Sequence, residues 1–343
     1  EDQAAKGFTI ERPDGERKLK IGVIEIPTFY LDFDAKSQGS EDYKSTTRDV
    51  KKIISELYTQ EVVGIIVDVR GNGGGSLSEA TSLTGLFIKN GPVVQIKDAS
   101  GRLDVERDTD DGISYQGPLV VLVDRNSASA SEIFAGAIQD YQRGIIVGET
   151  TFGKGTVQNL IDLNRYNKNK TEKLGQLKAT LAQFFRVNGE STQHRGVAPD
   201  IQFSGLLSPL EHGEKSLDNA LPWAQISPAS YSSNRIEKEK LTALILRHEA
   251  RVKDNLKIRH FMKIEKATLK ARDIKQLSLL LKERADKFKK DKLSQITSEN
   301  NFRSLHGLEP LNDDLDGEEG SEDYSDPRFD SILQETANIL VDF

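Results

Sequence analysis

Apolar runs and amphipathic segments alternate along the first part of the chain. Four mostly apolar runs predict buried strands, at 20–26, 62–69, 119–123 and 144–147. Three segments carry apolar residues at helical spacing and predict helices, at 45–58, 77–88 and 132–142. Strands that alternate with helices are typical of a parallel α/β core. We therefore predict an α/β domain at residues 1–205, with a further long strand at 176–187.

The pattern changes near residue 206. Three prolines, Pro209, Pro222 and Pro228, interrupt the chain, and residues 235–300 then contain neither glycine nor proline. Two sets of residues in this stretch have helical spacing, namely Leu241, Leu244, Ile245, His248 and Val252, and Leu277, Leu280, Leu281, Ala285 and Phe288. This pattern predicts a mainly helical domain at residues 206–343.

Charge is unevenly distributed in the second domain. Lysine and arginine outnumber the acidic residues within 235–300, which is compatible either with a basic surface for anionic partners or with the solvated faces of amphipathic helices. We favour solvated faces, since charge runs on helices usually face water. Residues 313–326 hold eight acids and no base, so we expect a mobile loop there, followed by a last helix within 329–343.

Composition narrows the chemistry. The chain has 343 residues, no cysteine and five histidines, and its formal net charge is −7. Disulfides and thiolate metal sites are therefore excluded, and the histidines lack zinc-binding spacing, so we expect no metal. No apolar run approaches the roughly 20 residues that span a membrane. Because the chain begins with Glu1 rather than methionine, we expect it to be part of a longer protein.

A serine-rich segment follows the predicted strand at 119–123. Ser127, Ser129 and Ser131 alternate there, and Glu132 comes next. Residues 129–132 fit a capping box that opens the following helix. A serine at a helix N-terminus also lies beside free N–H groups, where an oxyanion would be stabilised. The cap and the nucleophile are compatible, and spacing alone does not select one serine.

A lysine-containing segment follows the next predicted strand, at 144–147. Residues 148–154 match a phosphate-binding P-loop as far as Lys154, but Gly155 stands where serine or threonine would hold magnesium. Residues 71–76 miss a dinucleotide-binding fingerprint because Ser76 stands at its last position. Serine and lysine on successive crossovers instead suggest a hydrolase whose base is an amine.

The glycines at 71–75 are more simply interpreted as residues that the backbone conformation requires. Adjacent glycines allow positive φ angles and close approach to another group. They leave N–H groups exposed before the predicted helix at 77–88. We expect the N–H of Gly75 or Gly74, together with that of Ala130, to form an oxyanion hole.

These motifs together carry a family resemblance. Residues 68–75, 127–132 and 153–158 resemble the carboxyl-terminal processing peptidases, and within them the bacterial tail-specific proteases. Three later stretches agree, at 185–193, 196–201 and 218–223. The resemblance covers nearly the whole chain. It implies a protease core of the crotonase and Clp-protease kind.

The resemblance also assigns roles. Its nucleophile lies 25 residues before the lysine, which selects Ser129 as nucleophile and Lys154 as general base. Gln158 matches a residue that orients the lysine, although an ordinary polar residue at an element edge explains it about as well. Asp140 falls at a functionally sensitive position, for which we prefer a structural role, and Glu132 is a candidate supporting residue.

The implied activity is endopeptidase cleavage of protein or peptide substrates with exposed C-termini, without a cofactor. The resemblance further implies a periplasmic location, an upstream export signal, helical region and PDZ domain, and leaves room for a lipoprotein adaptor and peripheral membrane association. We expect no nucleic acid partner. The family does not use His194 as a base. A binding protein on an inactive protease fold and a P-loop nucleotide hydrolase are the rival hypotheses.

Overall fold

The computed structural model describes residues 4–40, 42–167, 173–203, 213–234, 236–272, 274–311 and 330–343. Contacts divide these residues into two compact units. The described residues up to 202, together with those within 213–237, form the first unit. Phe203 and the described residues within 238–342 form the second unit. Residues 213–234, which the sequence assigned to the helical domain, therefore make their contacts within the first unit.

A six-stranded sheet forms the core of the first unit. Its strands are β1 (Lys6–Asp14), β2 (Arg17–Glu25), β3 (Gly64–Asp68), β6 (Leu119–Val123), β7 (Ile145–Gly148) and β10 (Ile201–Gln202), which lie side by side in this order. β1 and β2 pair in antiparallel fashion, and all other neighbours are parallel. Every residue of β3, β6 and β7 is buried, as expected for parallel strands covered on both faces. The predicted parallel α/β core is confirmed.

Three helices contribute buried residues to the core of this unit, namely α2 (Thr46–Thr59), α3 (Leu77–Gly85) and α4 (Ala130–Asp140). The short helix α1 (Phe33–Ser37) buries none of its residues. α2 begins where Ser45 accepts a hydrogen bond from the Arg48 N–H, and it buries Val50, Ile54 and Leu57 on one face. A short polar N-cap followed by an apolar stripe explains why the helix at 45–58 was predictable from sequence.

A second, four-stranded sheet was not predicted as a whole. It contains β5 (Leu103–Asp108), β4 (Gly91–Asp98), β9 (Gln176–Phe185) and β8 (Thr156–Asp162), in that order, with antiparallel neighbours throughout. Only β9 was expected, at 176–187. β5 and β8 are mostly exposed or half-buried, so their sequences lack the apolar signal that marks a buried strand.

The second unit consists of helices α5 (Lys238–Asp254), α6 (Leu256–Arg272), α7 (Leu281–His306) and α8 (Ser331–Asp342). The predicted apolar face at 277–288 is wrong. α7 begins only at Leu281, whose side chain is 85% exposed, and Phe288 is 70% exposed. Helical spacing of apolar residues indicates a face but supplies no partner to cover it. The predicted loop at 313–326 lies outside the described residues.

Helix α8 confirms the predicted last helix and carries a buried carboxylate. Glu335 is 1% exposed and lies 3.0 Å from His248 Nδ1 and 2.9 Å from Arg251 Nε, both on α5. Arg251 also pairs with Asp342. Because a buried charge is tolerated only when it is paired, Glu335 ties α8 to α5. Within the described residues, no helix is long and apolar enough to cross a membrane.

We predict that Glu335→Ala lowers the free energy of unfolding by about 3 kcal/mol, because it leaves cationic and polar groups on α5 without their buried partner. Urea unfolding followed by helical circular dichroism measures the change. Asp291→Ala is the matched control, since the Lys287–Asp291 pair is exposed and such pairs contribute about 0.5 kcal/mol or less. Equal effects of the two substitutions would contradict the role of Glu335.

Candidate active site

Three loops meet at one end of the main sheet. β3, β6 and β7 are parallel neighbours, so their carboxyl ends lie at the same edge. The glycine loop (70–75) follows β3, the serine loop (124–129) follows β6, and the lysine loop (149–155) follows β7. Open α/β sheets place their ligands at this edge. The topology therefore brings the three sequence motifs together.

Backbone contacts hold the loops against one another. The Ala128 N–H donates to the Asn72 carbonyl at 2.9 Å, and the Phe152 N–H donates to the Ser127 carbonyl at 3.0 Å. The serine loop is thus bonded to the glycine loop on one side and to the lysine loop on the other.

The glycines are required by close contacts. Gly74 has φ +107°, and a Cβ there would lie 2.8 Å from the Ser129 Cβ and 2.9 Å from the Ala128 carbonyl oxygen. Gly75 has φ +143°, and a Cβ there would overlap the Phe29 carbonyl. Both the backbone conformation and the available space therefore exclude a side chain at these two positions.

Ser129 occupies a strained position at the start of α4. Its backbone has φ 57° and ψ −111°, a conformation that costs a non-glycine residue roughly 1–3 kcal/mol. The hydroxyl groups of Ser127 and Ser131 are buried and donate to the Val69 and Asn72 carbonyls at 2.8 and 2.9 Å. Of the three alternating serines, Ser129 alone lines the cleft described next.

A cleft of about 520 Å³ contains both Ser129 and Lys154. The side formed by the glycine loop, α3 and α4 includes Gly73, Gly75, Ser76, Leu77, Ser78, Ala130 and Ile133. Residues Phe33, Thr156, Val157, Gln158, Asn159 and Lys178 complete the lining. The cleft thus contains both a hydroxyl and an amine in its lining.

The Glu132 side chain connects the serine loop and the lysine loop through hydrogen bonds. Its carboxylate is fully buried and accepts four hydrogen bonds. Oε2 accepts from the N–H groups of Ser129 and Lys154 at 2.9 and 2.8 Å. Oε1 accepts from the Thr151 hydroxyl and the Gly153 N–H at 2.6 and 2.8 Å. One side chain therefore fixes the backbone of both candidate catalytic residues, and its bond to Ser129 completes part of the predicted capping box.

The environment of Glu132 also changes its proton affinity. Burial raises the pKa of Glu132 to about 7, although the four hydrogen-bond donors act in the opposite direction. A carboxyl group that is buried without a cationic partner is harder to ionise. The set of four hydrogen bonds to Glu132, which we call the Glu132 clamp, is thus sensitive to pH near neutrality.

Lys154 has the electrostatic surroundings of a base. Its side chain is half-buried, and this burial lowers the pKa of Lys154, as does the nearby charge of Lys178. Glu214 and Glu132 oppose the shift. Among the described residues, no side chain forms a hydrogen bond or an ion pair with the Lys154 amine. These conditions favour the neutral amine that proton abstraction requires.

Two residues that the sequence did not single out support the lysine loop. The Thr151 hydroxyl bridges Glu132 and the Val197 N–H, which donates to it at 2.7 Å. Gln193 is fully buried, and its Oε1 accepts from the Gly155 N–H at 2.7 Å. Both lie in or beside motifs that carry the resemblance, but only the fold brings them to this loop.

The N–H groups that could stabilise an oxyanion differ in availability. The Gly74 N–H donates to Asn72 Oδ1 at 2.8 Å. In the described part of the chain the N–H groups of Gly75 and Ala130 donate no hydrogen bond, and both residues line the cleft. The geometry therefore favours Gly75 over Gly74 as the partner of Ala130.

Gln158 lines the cleft on β8, but its amide does not contact Lys154. The Gln158 Nε2 instead donates to the Thr180 hydroxyl at 3.4 Å, and the side chain is exposed. The orientation of Lys154 by Gln158 is therefore not visible in this geometry. The prediction stays open.

Asp140 and His194 lie outside the cleft lining. Asp140 is at the far end of α4, about 16 Å along the helix from Ser129, and forms a buried ion pair with Arg186 at 2.5 Å. Asn188 also donates to it. This arrangement fits the structural role that we prefer for Asp140. His194 contacts the lysine loop through its backbone N–H, which donates to the Gly153 carbonyl.

The surroundings of Lys154 differ from those of a P-loop lysine. A P-loop leads from a strand into a helix, whereas Lys154 leads into strand β8. The described residues also contain no cluster of three or more metal-binding side chains. The arrangement supports nucleophilic attack by a hydroxyl on a carbonyl carbon, with an amine as proton acceptor and two backbone N–H groups as oxyanion donors.

Comparison with known proteins identifies the family of this chain. Residues 20–203 match the family described as peptidase family S41, and residues 207–343 match the C-terminal domain of tail specific protease. The whole chain is 42% identical to a tail-specific protease of Haemophilus influenzae, of which it covers 47%. Over 58% of its length, the chain is 32% identical to a chloroplastic C-terminal processing peptidase of Tetradesmus obliquus, of which it covers 38%. The chain thus spans half or less of these relatives.

Among solved structures, the photosystem II D1 C-terminal processing protease is 31% identical, with a TM-score of 0.47. The match covers 62% of this chain and 53% of that protein.

We predict that Glu132 gives the stability of the first unit a specific pH dependence. The folded-state pKa of about 7 lies above the unfolded value of about 4.3. The contribution of Glu132 is therefore fully present below pH about 4.3 and is lost as the pH rises from there through about 7, by roughly 4 kcal/mol in total. Glu132→Gln does not titrate and removes this component.

Urea unfolding of both proteins between pH 4.5 and 8, followed by the fluorescence of Trp223, measures the difference. Trp223 belongs to the first unit and is the only tryptophan of the chain. The same pH slope in wild type and Glu132→Gln would show that the carboxyl does not titrate in this range.

Proposed function

Because the chain belongs to peptidase family S41, we propose that it cleaves peptide bonds with Ser129 as nucleophile and Lys154 as general base. The observation that carries the proposal is the buried Glu132 carboxylate, which accepts hydrogen bonds from the N–H groups of both residues. The shared cleft adds support. Peptidase family S41 is a family of serine-type peptidases.

The first chemical step forms an acyl-enzyme. The Ser129 Oγ attacks the carbonyl carbon of a peptide bond while its proton passes to the neutral Lys154 amine. The N–H groups of Gly75 and Ala130 hold the resulting oxyanion. Collapse of the tetrahedral intermediate breaks the C–N bond, and Lys154 returns the proton to the leaving amine.

The second step releases the product. A water molecule attacks the acyl-enzyme carbonyl and gives a proton to Lys154, and the same two N–H groups hold the second oxyanion. The bond to Ser129 Oγ then breaks and the oxygen regains its proton from Lys154. In other hydrolases one such backbone or amide donor contributes about 3–4 kcal/mol to catalysis.

The substrate and location belong to the same proposal. We infer from the tail-specific relative that substrates are proteins recognised through their C-terminal tails, and we place the enzyme in the bacterial envelope, on the periplasmic side. A lipoprotein adaptor and peripheral association with the membrane are consistent with this setting. Degradation of a denatured envelope protein, with Ser129→Ala as control, tests the substrate class.

A binding protein on an inactive protease fold is the main alternative. A binding protein has no need for a serine in a strained conformation at a helix N-terminus that shares a cleft with a half-buried lysine amine. Labelling of Ser129 by a serine-directed reagent separates the two functions.

We predict that Ser129→Ala and Lys154→Ala each abolish most peptidase activity, and that the double variant is scarcely worse than either. Residues that act as one unit are not additive. Lys154→Arg is also expected to fail, since arginine stays protonated and cannot accept the proton. Initial rates on an unfolded protein substrate measure these effects.

Ser127→Ala and Ser131→Ala are the matched controls, because their hydroxyl groups point to backbone carbonyls rather than into the cleft. We expect both to keep substantial activity. A dead Ser127→Ala variant that is still folded, or near-normal cleavage by Lys154→Arg, would refute the assigned dyad.

We also predict that Gly75→Ala lowers kcat/KM by 100-fold or more, on the order of the loss of one oxyanion donor. The new Cβ would collide with the Phe29 carbonyl and displace the Gly75 N–H. Gly73→Ala is the control, because Gly73 lines the same cleft with open space around its Cβ position and without a positive φ. Equal activities of the two folded variants would exclude Gly75 from the oxyanion hole.

A further inference from the structure

The wall of the cleft contains a second lysine that the proposed reaction does not use. Lys178 lies on β9 and lines the cleft together with Ser129 and Lys154. Its side chain is exposed. Within the described residues, no carboxylate pairs with it and no acceptor bonds to it.

The register of the β8–β9 pair fixes the side on which Lys178 lies. Lys178 is opposite Leu160, and Thr180 is opposite Gln158. Side chains two residues apart on a strand share a face, so Lys178 lies on the face that carries the Gln158–Thr180 hydrogen bond. Gln158 itself lines the cleft. Lys178 therefore lies on the same β8–β9 wall of the cleft as Gln158.

The charge of the cleft is one-sided. Its described lining contains two lysines, Lys154 and Lys178, and neither aspartate nor glutamate. The two acidic groups whose charges act on Lys154 form hydrogen bonds elsewhere. Glu132 accepts from four donors, and the buried Glu214 accepts from the Gln193 side chain at 3.3 Å. If Lys154 is neutral during catalysis, Lys178 is the remaining positive charge at the place where the substrate chain lies.

We propose that Lys178 is a specificity-determining residue that attracts a carboxylate of the bound polypeptide and disfavours a cationic side chain at the same place. This inference rests on the proposed peptidase function of the cleft. The carboxylate could come from an aspartate or glutamate side chain near the cleaved bond or from the C-terminus of the substrate. Both present the same group to an ammonium ion.

The size of the effect follows from the exposure of Lys178. Exposed ion pairs contribute little individually. A glutamate-for-lysine exchange in the substrate replaces repulsion with attraction, so we expect about a 3- to 10-fold difference in kcat/KM between the two peptides. Any influence of Lys178 on the protonation of Lys154 affects both peptides equally and cancels in this ratio.

The experiment uses the full chain and a set of fluorogenic peptides that differ at one residue. Glutamate, glutamine or lysine is placed in turn at each of three positions on either side of the cleaved bond, which mass spectrometry locates. A second set carries a free or an amidated C-terminus. The enzymes are wild type, Lys178→Gln, Lys178→Glu and Lys178→Arg, with Lys173→Gln as control, because Lys173 precedes β9 and does not line the cleft.

At one or more positions, wild type, Lys178→Arg and Lys173→Gln should prefer glutamate to lysine. Lys178→Gln should bring the ratio close to one, and Lys178→Glu should reverse it. The source is the terminal carboxylate if wild type, Lys178→Arg and Lys173→Gln prefer the free to the amidated C-terminus, Lys178→Gln loses this preference and Lys178→Glu reverses it. An unchanged ratio in Lys178→Glu for both peptide sets overturns the proposal.

Failure of the proposed function gives a different result. In that case Ser129→Ala would cleave the peptides as well as wild type, or no peptide would be cleaved. The role of Lys178 is then tested by binding. Fluorescence anisotropy measures the dissociation constants of the labelled peptides for two proteins, the Ser129→Ala variant and the double variant Ser129→Ala/Lys178→Glu. Equal dissociation constants for the glutamate and lysine peptides, and for the two terminal forms, on both proteins contradict the role of Lys178.

Discussion

The hydrogen bonds to the buried Glu132 carboxylate are the constraint on which the site depends. Ser129 begins a helix and Lys154 precedes a strand, and 25 residues separate them in the chain. A single carboxylate accepts from both backbones and from Gly153 and Thr151 between them. Four donors on one group define position far better than a single contact does. The relative placement of hydroxyl and amine is therefore built into the backbone and does not rely on a bond between the two side chains.

This use of Glu132 also resolves an electrostatic conflict. A carboxylate close to a lysine ordinarily pairs with it and keeps it protonated. Here the oxygen atoms of Glu132 are occupied by backbone N–H groups and the Thr151 hydroxyl, and burial together with Lys178 lowers the pKa of Lys154. The same acidic residue thus holds the lysine loop in place without forming an ion pair that would keep the Lys154 amine protonated. The backbone of Ser129 is in addition held in a strained conformation, and Gly74 packs closely against its Cβ.

Much of this arrangement was predictable from sequence, for identifiable reasons. The buried strands at 119–123 and 144–147 have strong apolar signals, and parallel strands place the segments that follow them at one edge. In the four-stranded antiparallel sheet, β5 and β8 were missed because they are largely exposed, whereas β4 was missed although residues 92–95 are buried. The Glu132 clamp was visible only as a capping box, since its bonds to Gly153 and Lys154 join parts of the chain that only the fold brings together. The choice of Gly75 over Gly74 likewise depends on the Asn72 side chain, which takes the Gly74 N–H.

The central claim is that Lys154 acts as a neutral amine on Ser129, and the pH dependence of Ser129 acylation tests it most directly. The rate of single-turnover labelling by a fluorophosphonate is measured from pH 5 to 10, with Lys154→Ala subtracted at each pH. The Lys154-dependent rate should rise with pH, with a midpoint clearly below the ordinary lysine value of about 10.4, because deprotonation creates the base. A Lys154-dependent rate that does not change or that falls with rising pH would contradict the account.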